Sequence, residues 1–347
     1  VETTHGAIQS LEVTPSSTAI TADDEVLIYT VRIDIRGNRL NITLPASAWI
    51  PSNGTIHEET PVRWTPWTAA TQTIDASLEN VTSRIILSVV HGEVVGIDIR
   101  TSDNEILTSG NAATIGALNY DQFGNEWDAT IDAWVINEPM ADQNWLTPST
   151  SYTVFDAVVV GTWTITGTYL HGQIAMSDSI TFSVEAGPLA SITLSGHGSQ
   201  ITADDTVSLS PVTRDQNANM LDTDMLRWFI WDAEITPQPS ACIDWGNELT
   251  TTLQDNNFVW EASDEGRWRI CSISGAYQAV VEIVVTHGVP AILYHESSAD
   301  ALTAGATISI EITAADSDGN IFPIEVSWIG SPSTDFTVED DTGKYSW

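Results

Sequence analysis

The side chains that could carry chemistry are predominantly acidic. The 347-residue sequence has 47 Asp and Glu, 11 Lys and Arg, seven His and two Cys. Its histidines show neither H-x-H nor H-x-x-x-H spacing, and the sequence lacks nucleophile-elbow, phosphate-loop and dinucleotide-binding motifs. Two of the many carboxylates could form a glycosidase pair, but most acids in so acidic a chain are solvated surface groups. We therefore expect no enzymatic activity.

The charge balance restricts the partners of the chain. A formal net charge of −36 repels nucleic acid and anionic lipid, so we expect neither as a ligand. It suits surroundings in which salt or divalent cations screen the surface, such as brine, seawater or a calcium-rich cell surface, and equally the cytosol of a salt-accumulating organism, so the charge alone does not fix the compartment. The sequence has no run of about 20 apolar residues, so we expect no direct membrane insertion in this segment. A hydrophobic content of 42% is enough for packed cores.

Two covalent modifications are predicted if the protein is exported. Cys242 and Cys271 can form a disulfide, and the alternative is a pair of buried free thiols. Three N-x-T sequons at Asn41, Asn53 and Asn80 are candidate glycosylation sites. All three lie within one part of the chain, which indicates a glycosylated surface there.

A signature that occurs four times organises these residues. It begins with a Thr before small or acidic residues, at Thr21, Thr108, Thr202 and Thr303. The segment D-x-x-G/A-N follows 13 positions later in every copy, beginning at Asp34, Asp121, Asp215 and Asp316. A Trp comes 8 to 11 residues after each Asn, at Trp49, Trp134, Trp228 and Trp328. The copies are 87, 94 and 101 residues apart, which is the size of one immunoglobulin-like (Ig-like) sandwich.

The boundaries between copies carry a signature of their own. His-Gly dipeptides stand at His5-Gly6, His91-Gly92 and His287-Gly288, and Ala186-Gly187 fills the remaining position. The predicted domains are 1–6 as the tail of a preceding repeat, 7–92 as a divergent, sequon-rich repeat 1, 93–188 as repeat 2, 189–289 as repeat 3 with the candidate disulfide, and 290–347 as an incomplete repeat 4. The shortened repeat 4 is either a window onto a longer array or a sandwich that another subunit completes.

The local pattern between boundaries is that of β-strands. Val, Ile and Thr are abundant, and Thr307–Thr313 alternates with a period of two. The nearest approach to a helical segment is Thr71–Asn80, where we expect a turn or two. The fold class predicted is all-β, with tandem Ig-like β-sandwich domains arranged end to end through linkers of one or two residues.

Tryptophan has two expected roles. Trp49, Trp134, Trp228 and Trp328 follow the recurring turn and are predicted to pack between the sheets. Five further tryptophans lie in loop-like stretches: Trp64, Trp67, Trp127, Trp145 and Trp245. These either close the sandwich ends and contact the next domain, or lie exposed and stack on sugars.

The D-x-x-G/A-N segment is predicted to be a strand-connecting turn, because Asp bonds its own backbone and Gly or Asn tolerates positive φ. The alternative is a calcium loop. The fourth copy alone offers Asp316, Asp318 and Asn320 together, whereas the first carries Arg36. The acid pairs Asp23-Asp24 and Asp204-Asp205 are further cation candidates if linker and turn meet at a domain junction.

The order T-A-D, D-x-x-G-N and Trp resembles the Ig-like repeats of invasin- and intimin-type bacterial adhesins and of large archaeal surface or S-layer-type proteins. The resemblance covers all four copies and implies an extracellular β-sandwich array that serves as stalk, surface layer, filament or adhesin. We expect a non-enzymatic structural segment of a long extracellular repeat protein, with an adhesin or glycan-binding module as the alternative. Expected partners are other copies of itself, other surface proteins or glycans, with calcium as the one candidate cofactor.

Overall fold

The computed structural model describes residues 6–137, 141–196, 198–249, 257–301, 303, 308–326, 337–338 and 344–346. The chain divides into two compact units, Val1–Glu185 and Ala186–Trp347. Within the described part, strands supply almost all the regular structure, and three short 3-10 helices complete it: Ala46–Ala48, Gln143–Trp145 and Cys242–Trp245. No described helix has the length and apolar content needed to cross a membrane. The predicted all-β class is therefore confirmed.

Repeat 1 is a two-sheet sandwich. Its strands are β1 (Ile8–Pro15), β2 (Ala19–Thr21), β3 (Val26–Asp34), β4 (Arg39–Ile42), β5 (Trp49–Pro51), β6 (Thr55–His57), β7 (Val62–Thr65), β8 (Thr71–Leu78) and β9 (Val81–Val90). One sheet has the order β1-β3-β7-β6, with β4 also on β3, and the other has the order β2-β9-β8-β5. These orders correspond to the A-B-E-D and G-F-C sheets of an Ig domain. Strand β2 pairs parallel with β9. The chain therefore passes from the edge of one sheet, at β1, to the edge of the other, at β2.

Repeat 2 has the same topology. Its strands are β10 (Gly96–Thr101), β11 (Ile106–Thr108), β12 (Ala112–Tyr120), β13 (Glu126–Asp128), β14 (Ala133–Ile136), β15 (Leu146–Pro148), β16 (Tyr152–Asp156), β17 (Gly161–His171) and β18 (Ile174–Glu185). The sheets run β10-β12-β16-β15, with β13 on β12, and β11-β18-β17-β14. Every pairing of repeat 1 thus recurs nine strands later.

The cores lie between the sheets because inward positions alternate with outward ones along each strand. In repeat 1 the alternation buries Ile28, Ile74 and Leu87 around Trp64, and in repeat 2 it buries Ile115 and Ile165 with other apolar side chains.

The helical turn expected at 71–80 is wrong, because this segment is strand β8. Its inward positions recur every second residue, at Gln72, Ile74 and Ala76. The buried amide of Gln72 is satisfied by Ser52 and by the carbonyl of Thr68, at 2.6 and 3.1 Å.

Repeat 3 departs from this plan in its second sheet. Its strands are β19 (Leu189–Ser195), β20 (Gln200–Thr202), β21 (Thr206–Asp215), β22 (Arg227–Asp232), β23 (Glu248–Leu249), β24 (Phe258–Glu261), β25 (Gly266–Ser274) and β26 (Tyr277–Thr286). The sheets run β19-β21-β24 and β20-β26-β25-β22-β23. Strand β23 pairs with β22, so the connection after β22 returns to its own sheet instead of crossing to the other.

A disulfide fixes that connection. Cys242, on the 3-10 helix, is bonded to Cys271 on β25, with 6.1 Å between their Cα atoms. Cys271 alternates with Ile270, which belongs to the sandwich core, and packs instead with Phe229 and Trp245 in a second, smaller cluster. The disulfide therefore covers the outer face of the sheet and does not join the two sheets.

The described part of repeat 4 forms one sheet. Its strands are β27 (Ile292–Ser297), β28 (Ser309–Ala315), β29 (Ile321–Pro323), β30 (Thr337–Val338) and β31 (Lys344–Ser346), in the order β27-β28-β31-β30 with β29 also on β28. Strands β27, β28 and β29 follow the arrangement of β10, β12 and β13 in repeat 2.

The linkers are longer than the one or two residues expected. Residues 91–95 separate β9 from β10, residues 186–188 separate β18 from β19, and residues 287–291 separate β26 from β27. The apolar residues after each Gly suggest an immediate strand. In two of the linkers, however, the first N–H groups at and after the Gly bond to aspartate side chains, and pairing with the next repeat's strand begins only at Val95 and Ala291. The exact domain boundaries at residues 92, 188 and 289 stay predictions.

Candidate functional site at the repeat junctions

Each D-x-x-G/A-N segment is a turn closed around its own aspartate. In repeat 2, Oδ1 of Asp121 accepts hydrogen bonds from the backbone N–H groups of Phe123 and Asn125, at 3.0 and 2.9 Å. Oδ2 accepts from Nδ2 of Asn125 at 2.7 Å and from the N–H of Gly92 at 2.8 Å. The same four donor positions surround Asp34, Asp215 and Asp316. The predicted turn is confirmed in all four copies.

The fourth donor of each set comes from the linker. Gly6, Gly92, Gly187 and Gly288 each donate their N–H to the aspartate of the repeat that follows. Each of these aspartates is at most 4% exposed, so its charge is held by hydrogen bonds and not by water. The two recurring signatures of the sequence, turn and boundary Gly, therefore meet in one contact.

The hydrogen bonds overcome the effect of burial on the carboxylates. Burial acts to raise the pKa of Asp316, but bonds from Asn320, Gly288 and Asp318 lower it to about 2. The pKa of Asp121 is also lowered, because bonds from Gly92, Asn125 and Phe123 outweigh burial. For Asp34 the side chain of Asn38 makes the largest contribution to a lowered pKa. These carboxylates are ionised at neutral pH.

The T-A-D-D motif forms a second turn that directs another carboxylate at the linker. Oδ2 of Asp24 accepts from the N–H of Thr21 at 2.9 Å, and Oδ2 of Asp205 accepts from Thr202 at 2.8 Å. The intervening Ala22 is buried, and its N–H bonds the last residue of β9, Val90, at 2.9 Å. The second acid of each pair thus accepts the backbone N–H that closes the turn, and the first acid also makes contacts outside the turn, with the linker.

In the first junction, between repeats 1 and 2, two carboxylates hold consecutive linker residues. The N–H of Gly92 bonds Asp121 of repeat 2, and the N–H of Glu93 bonds Oδ2 of Asp23 of repeat 1, at 3.0 Å. The hydroxyl of Thr21 and this N–H lower the pKa of Asp23. One dipeptide is therefore anchored to both domains that it connects.

The second junction, between repeats 3 and 4, repeats this arrangement. The N–H of Gly288 bonds Asp316 at 2.7 Å, and the N–H of Val289 bonds Oδ2 of Asp204 at 2.8 Å. Glycine is required at the linker because a Cβ on Gly288 would lie 2.2 Å from Oδ2 of Asp204. The equivalent atom on Gly92 would lie 2.8 Å from Cγ of Asp23.

The Asn of each turn at these junctions binds the preceding repeat. Oδ1 of Asn125 accepts from the N–H of Ala69 at 2.8 Å, and Nδ2 donates to the carbonyl of Trp67 at 2.9 Å. Asn320 makes the same pair of bonds to Glu265 N–H and Ser263 carbonyl, at 3.1 and 2.9 Å. The contacted residues of the preceding repeats lie in the loops β7–β8 and β24–β25, which correspond to the loop between strands E and F of an Ig domain.

An aromatic stack completes each junction. The ring of His91 lies 3.6 Å from that of Trp127 with 5° between their planes. The ring of His287 lies 3.5 Å from that of Phe322 with 8° between their planes. In both cases the aromatic residue comes two positions after the turn Asn, so the His of the linker packs on the strand that the turn begins.

The residues predicted to bind calcium lie in one turn, where Asp316 and Asn320 form hydrogen bonds within the protein. Both carboxylate oxygens of Asp316 accept N–H groups, and the amide of Asn320 is bonded to Asp316 and to repeat 3. The acid pairs proposed as further candidates do lie at the junctions, where Asp23 and Asp204 accept linker N–H groups. Across the described residues, no three His, Cys, Asp or Glu side chains form a group suited to a metal ion. Calcium binding stays a prediction.

The tryptophans after the turns occupy different depths. Trp49 and Trp228 are 5% and 2% exposed within their sandwich cores. Trp134 is half-buried against the core of repeat 2, and its indole N–H donates to the carbonyl of Ser149 at 3.3 Å. Trp328 lies outside the described residues.

Most of the loop-like tryptophans are not available to sugars. Trp64 lies on strand β7 and is fully buried, so its assignment to a loop is wrong. The run Val-Arg-Trp-Thr alternates and turns Val62 and Trp64 into the core. Trp245 is buried beside the disulfide, and Trp145 packs edge-on against Trp163. Trp127 stacks on His91, which leaves Trp67, 46% exposed, as the most open of the five.

The three sequons lie in repeat 1 at different levels of exposure. Asn41 on β4 and Asn80 in the β8–β9 turn are exposed. Asn53 is half-buried, and its Oδ1 accepts from the N–H of Trp67 at 3.1 Å. The structure therefore leaves two of the three amides open to solvent, and glycosylation stays a prediction.

Sequence reasoning missed the roles of Asn125, Asn320 and the linker histidines. The signal was present, since His-Gly, T-A-D-D and an aromatic two residues after the turn Asn all accompany one another in these copies. Their meeting in space depends on the length of the strands between them, which spacing alone does not give.

No protein-family model and no curated protein matches the sequence. Among solved structures, the chain is similar to the Escherichia coli adhesin FdeC, with 14% identity, a TM-score of 0.48 and coverage of 82% of this chain and 100% of that one. It is similar to invasin, a bacterial integrin-binding protein, with 14% identity, a TM-score of 0.40 and coverage of 88% and 76%. It is also similar to domains 4–9 of the surface layer protein SbsC, with 16% identity, a TM-score of 0.26 and coverage of 84% and 50%.

An adhesin, an invasin and a surface-layer protein are thus among the similar structures, in agreement with the resemblance to adhesin and S-layer-type repeats. Their identities are low and their TM-scores lie below 0.5, so the Ig-like assignment here depends on the chain's own strand orders. The class defined by fold and junctions is a tandem Ig-like repeat protein.

Proposed function

We propose that this chain is a non-catalytic structural segment of a cell-surface protein, serving as part of a stalk, filament or surface layer. One observation carries the proposal: the recurring sequence signature builds the same interdomain junction twice, once in each compact unit. Within each unit, the repeated motifs therefore fix one repeat to the next.

Three further features support a place outside the cell. A disulfide persists in oxidising compartments, and Cys242 and Cys271 are bonded. Asn41 and Asn80 are exposed residues that begin N-x-T sequons. The net charge of −36 keeps such a surface soluble in salt. Labelling of intact cells with an impermeant antibody tests the location, and signal only after permeabilisation would contradict it.

Hydrogen–deuterium exchange at the linkers tests the structural role. The amides of Gly92, Glu93, Gly288 and Val289 all donate to carboxylates, so we expect them to be protected in the intact chain. Replacing Asn125 and Asn320 by Ala removes the bonds to the preceding repeats. We expect exchange of these linker amides to accelerate about tenfold, because each substitution removes two hydrogen bonds to the preceding repeat and a third to the turn aspartate that holds the linker Gly.

Asn80→Ala is the matched control, since Asn80 lies in an exposed hairpin turn away from both junctions. It should leave the linker amides unchanged. Linker amides that exchange at the unprotected rate in the unaltered chain would show that the repeats are not fixed to each other, and the proposed role would fail.

Adhesion to glycans through exposed tryptophan is the second candidate, and the open indole of Trp67 is the observation that favours it. A glycan array probed with the chain and with Trp67→Ala decides between the two. Binding that Trp67→Ala abolishes supports an adhesin. Absence of sugar binding, with lattices or fibres of the native protein under the electron microscope, supports the scaffold.

A further inference from the structure

The turn of repeat 1 has the same internal bonds as the others but an open outer side. Asp34 accepts from Arg36, from Asn38 and from Gly6, as the equivalent aspartates do. The side chain of Asn38 is exposed, whereas Asn125 and Asn320 are half-buried beneath a neighbouring loop. Among the described residues, the only partner of the Asn38 amide is Asp34.

The contacts of Asn125 and Asn320 indicate what kind of group the side chain of Asn38 can bind. Asn125 takes a carbonyl and an N–H two residues apart, from Trp67 and Ala69, and Asn320 takes the same pair from Ser263 and Glu265. Backbone groups at i and i+2 point the same way in an extended segment. The Asn side chain thus bonds to one edge of the loop as a neighbouring strand would. These bonds involve only the backbone of the loop, so they do not depend on its side chains.

The linker at this face is already anchored. The N–H of Gly6 bonds Oδ2 of Asp34 at 3.1 Å, and the carbonyl of Gly6 accepts from Nη2 of Arg32 at 2.7 Å. In sequence, His5-Gly6 matches the His-Gly pairs of the two described junctions. The chain therefore enters repeat 1 in the way it enters repeats 2 and 4.

We propose that Gly6, Asp34, Asn38 and Leu40 form a third docking face, whose occupant is a further Ig-like repeat on the amino-terminal side of Gly6 in the same chain. The amide of Asn38 binds the loop between its E and F strands through one carbonyl and one N–H. Leu40, 39% exposed, stands where the other junctions have Trp127 and Phe322, so here an aliphatic contact replaces the aromatic stack. This inference rests on the junctions having the structural role proposed above.

A chain with one added repeat tests the inference. Residues 189–287 are placed ahead of Gly6, because repeat 3 supplies the loop and the Asp204 turn that fit the second junction. Leu40→Cys serves as the reporter, since Cys242 and Cys271 are bonded to each other, in repeat 3 and in its added copy alike, and leave the new thiol as the one reactive group. We expect that thiol to react about tenfold more slowly in the lengthened chain than in the present one.

Asn38→Ala in the lengthened chain should restore fast labelling, and an Ile86→Cys reporter on the exposed face of β9 should react equally in both chains. In the present chain, Asn38→Ala should lower the unfolding midpoint less than Asn125→Ala. Equal Leu40→Cys rates in the two chains, or a slow rate that Asn38→Ala does not change, would overturn the proposal.

Slow labelling of the present chain that depends on protein concentration would also overturn it, because another molecule would then be the occupant. An equal loss of stability for Asn38→Ala and Asn125→Ala in the present chain counts against it as well. The linker-exchange test on Asn125 and Asn320 separates this proposal from the structural role. If that test succeeds and the labelling test fails, only the docking face on repeat 1 is rejected. If the linker-exchange test fails, the structural role is rejected.

Discussion

The first and second junctions share one set of hydrogen bonds but differ in the side chains around it. In each, two carboxylates hold consecutive linker N–H groups and an Asn amide binds the preceding loop. The first stacks His91 on Trp127 and the second stacks His287 on Phe322. The second also adds a bond from the Ser317 hydroxyl to Asp204 at 3.1 Å.

This difference shows which parts of a junction are fixed by chemistry. The hydrogen bonds that the two junctions share all join an Asp or Asn side chain to the backbone. The loops that Asn125 and Asn320 contact therefore need no common sequence. The aromatic position tolerates an indole or a phenyl ring because both present a flat face to histidine. A junction of this kind can therefore recur along a diverging array.

The largest effect is expected from removing a turn aspartate. Asp121→Ala leaves four N–H donors without their acceptor, three of them in the turn and one in the linker. Since each unsatisfied donor costs about 1–3 kcal/mol when buried, we expect a loss of about 3 kcal/mol or more in repeat 2. Denaturant unfolding followed by tryptophan fluorescence measures it.

Asp121→Asn keeps the shape and one acceptor oxygen and should lose less than Asp121→Ala. Asp128→Ala, an exposed acid on β13, is the control and should change stability by less than about 0.5 kcal/mol. If Asp316→Ala proved harmless while Asp121→Ala was severe, the two junctions would not be equivalent.

A smaller effect is expected from a methyl group at the linker. A Cβ on Gly92 meets Asp23 at 2.8 Å, so Gly92→Ala forces the carboxylate away and should cost about 1–3 kcal/mol. Combining Gly92→Ala with Asp23→Ala removes the clash, and the double variant should lose less than the sum of the two single variants. Strict additivity, measured by the same unfolding curves, would show that linker and carboxylate do not contact.

Acid should weaken the second junction through Asp316. Its pKa falls from 3.8 to about 2 on folding, so its contribution is complete above pH 3.8 and is lost as the pH falls toward 2. We expect the thermal midpoint of the chain to fall across this window, and Asp316→Asn to reduce the slope. A midpoint that is flat from pH 4 to pH 2 would contradict the hydrogen-bonded, ionised state of this carboxylate.

The sequence predicts the sandwiches better than it predicts the junctions. Alternating Val, Ile and Thr locate most strands, and the constant spacing of 13 between Thr and Asp reflects one strand that joins two turns, such as Val26–Asp34 or Thr206–Asp215. The D-x-x-G/A-N turn is predictable because its bonds are local, within four residues of the Asp.

The remaining features depend on contacts that are distant in sequence. Asn125 and Ala69 are 56 residues apart, and no local pattern in the sequence shows that Asn125 binds a neighbouring loop whereas Asn38 is exposed. Trp64 looks like a loop residue because prolines follow and precede it closely, yet β7 carries it into the core. The length of the linkers is not predictable from the sequence for the same reason, since their partners are aspartates in turns that lie far away along the chain.

The smallest effect compares the four turns at one position. Three have glycine there with φ of 81, 78 and 93°, whereas repeat 3 has Ala218 at a φ of 67°. An L residue costs roughly 1–2 kcal/mol in this region, and glycine gives back part of that gain through the entropy of the unfolded chain. Ala218→Gly should therefore stabilise repeat 3 by about 0.5 kcal/mol, and Gly124→Ala should destabilise repeat 2 by a similar amount. A Cβ on Gly124 meets no atom within 4 Å, so the backbone angle alone is tested. A loss of stability in Ala218→Gly, seen as a lower denaturant midpoint, would mean that repeat 3 depends on the alanine methyl group.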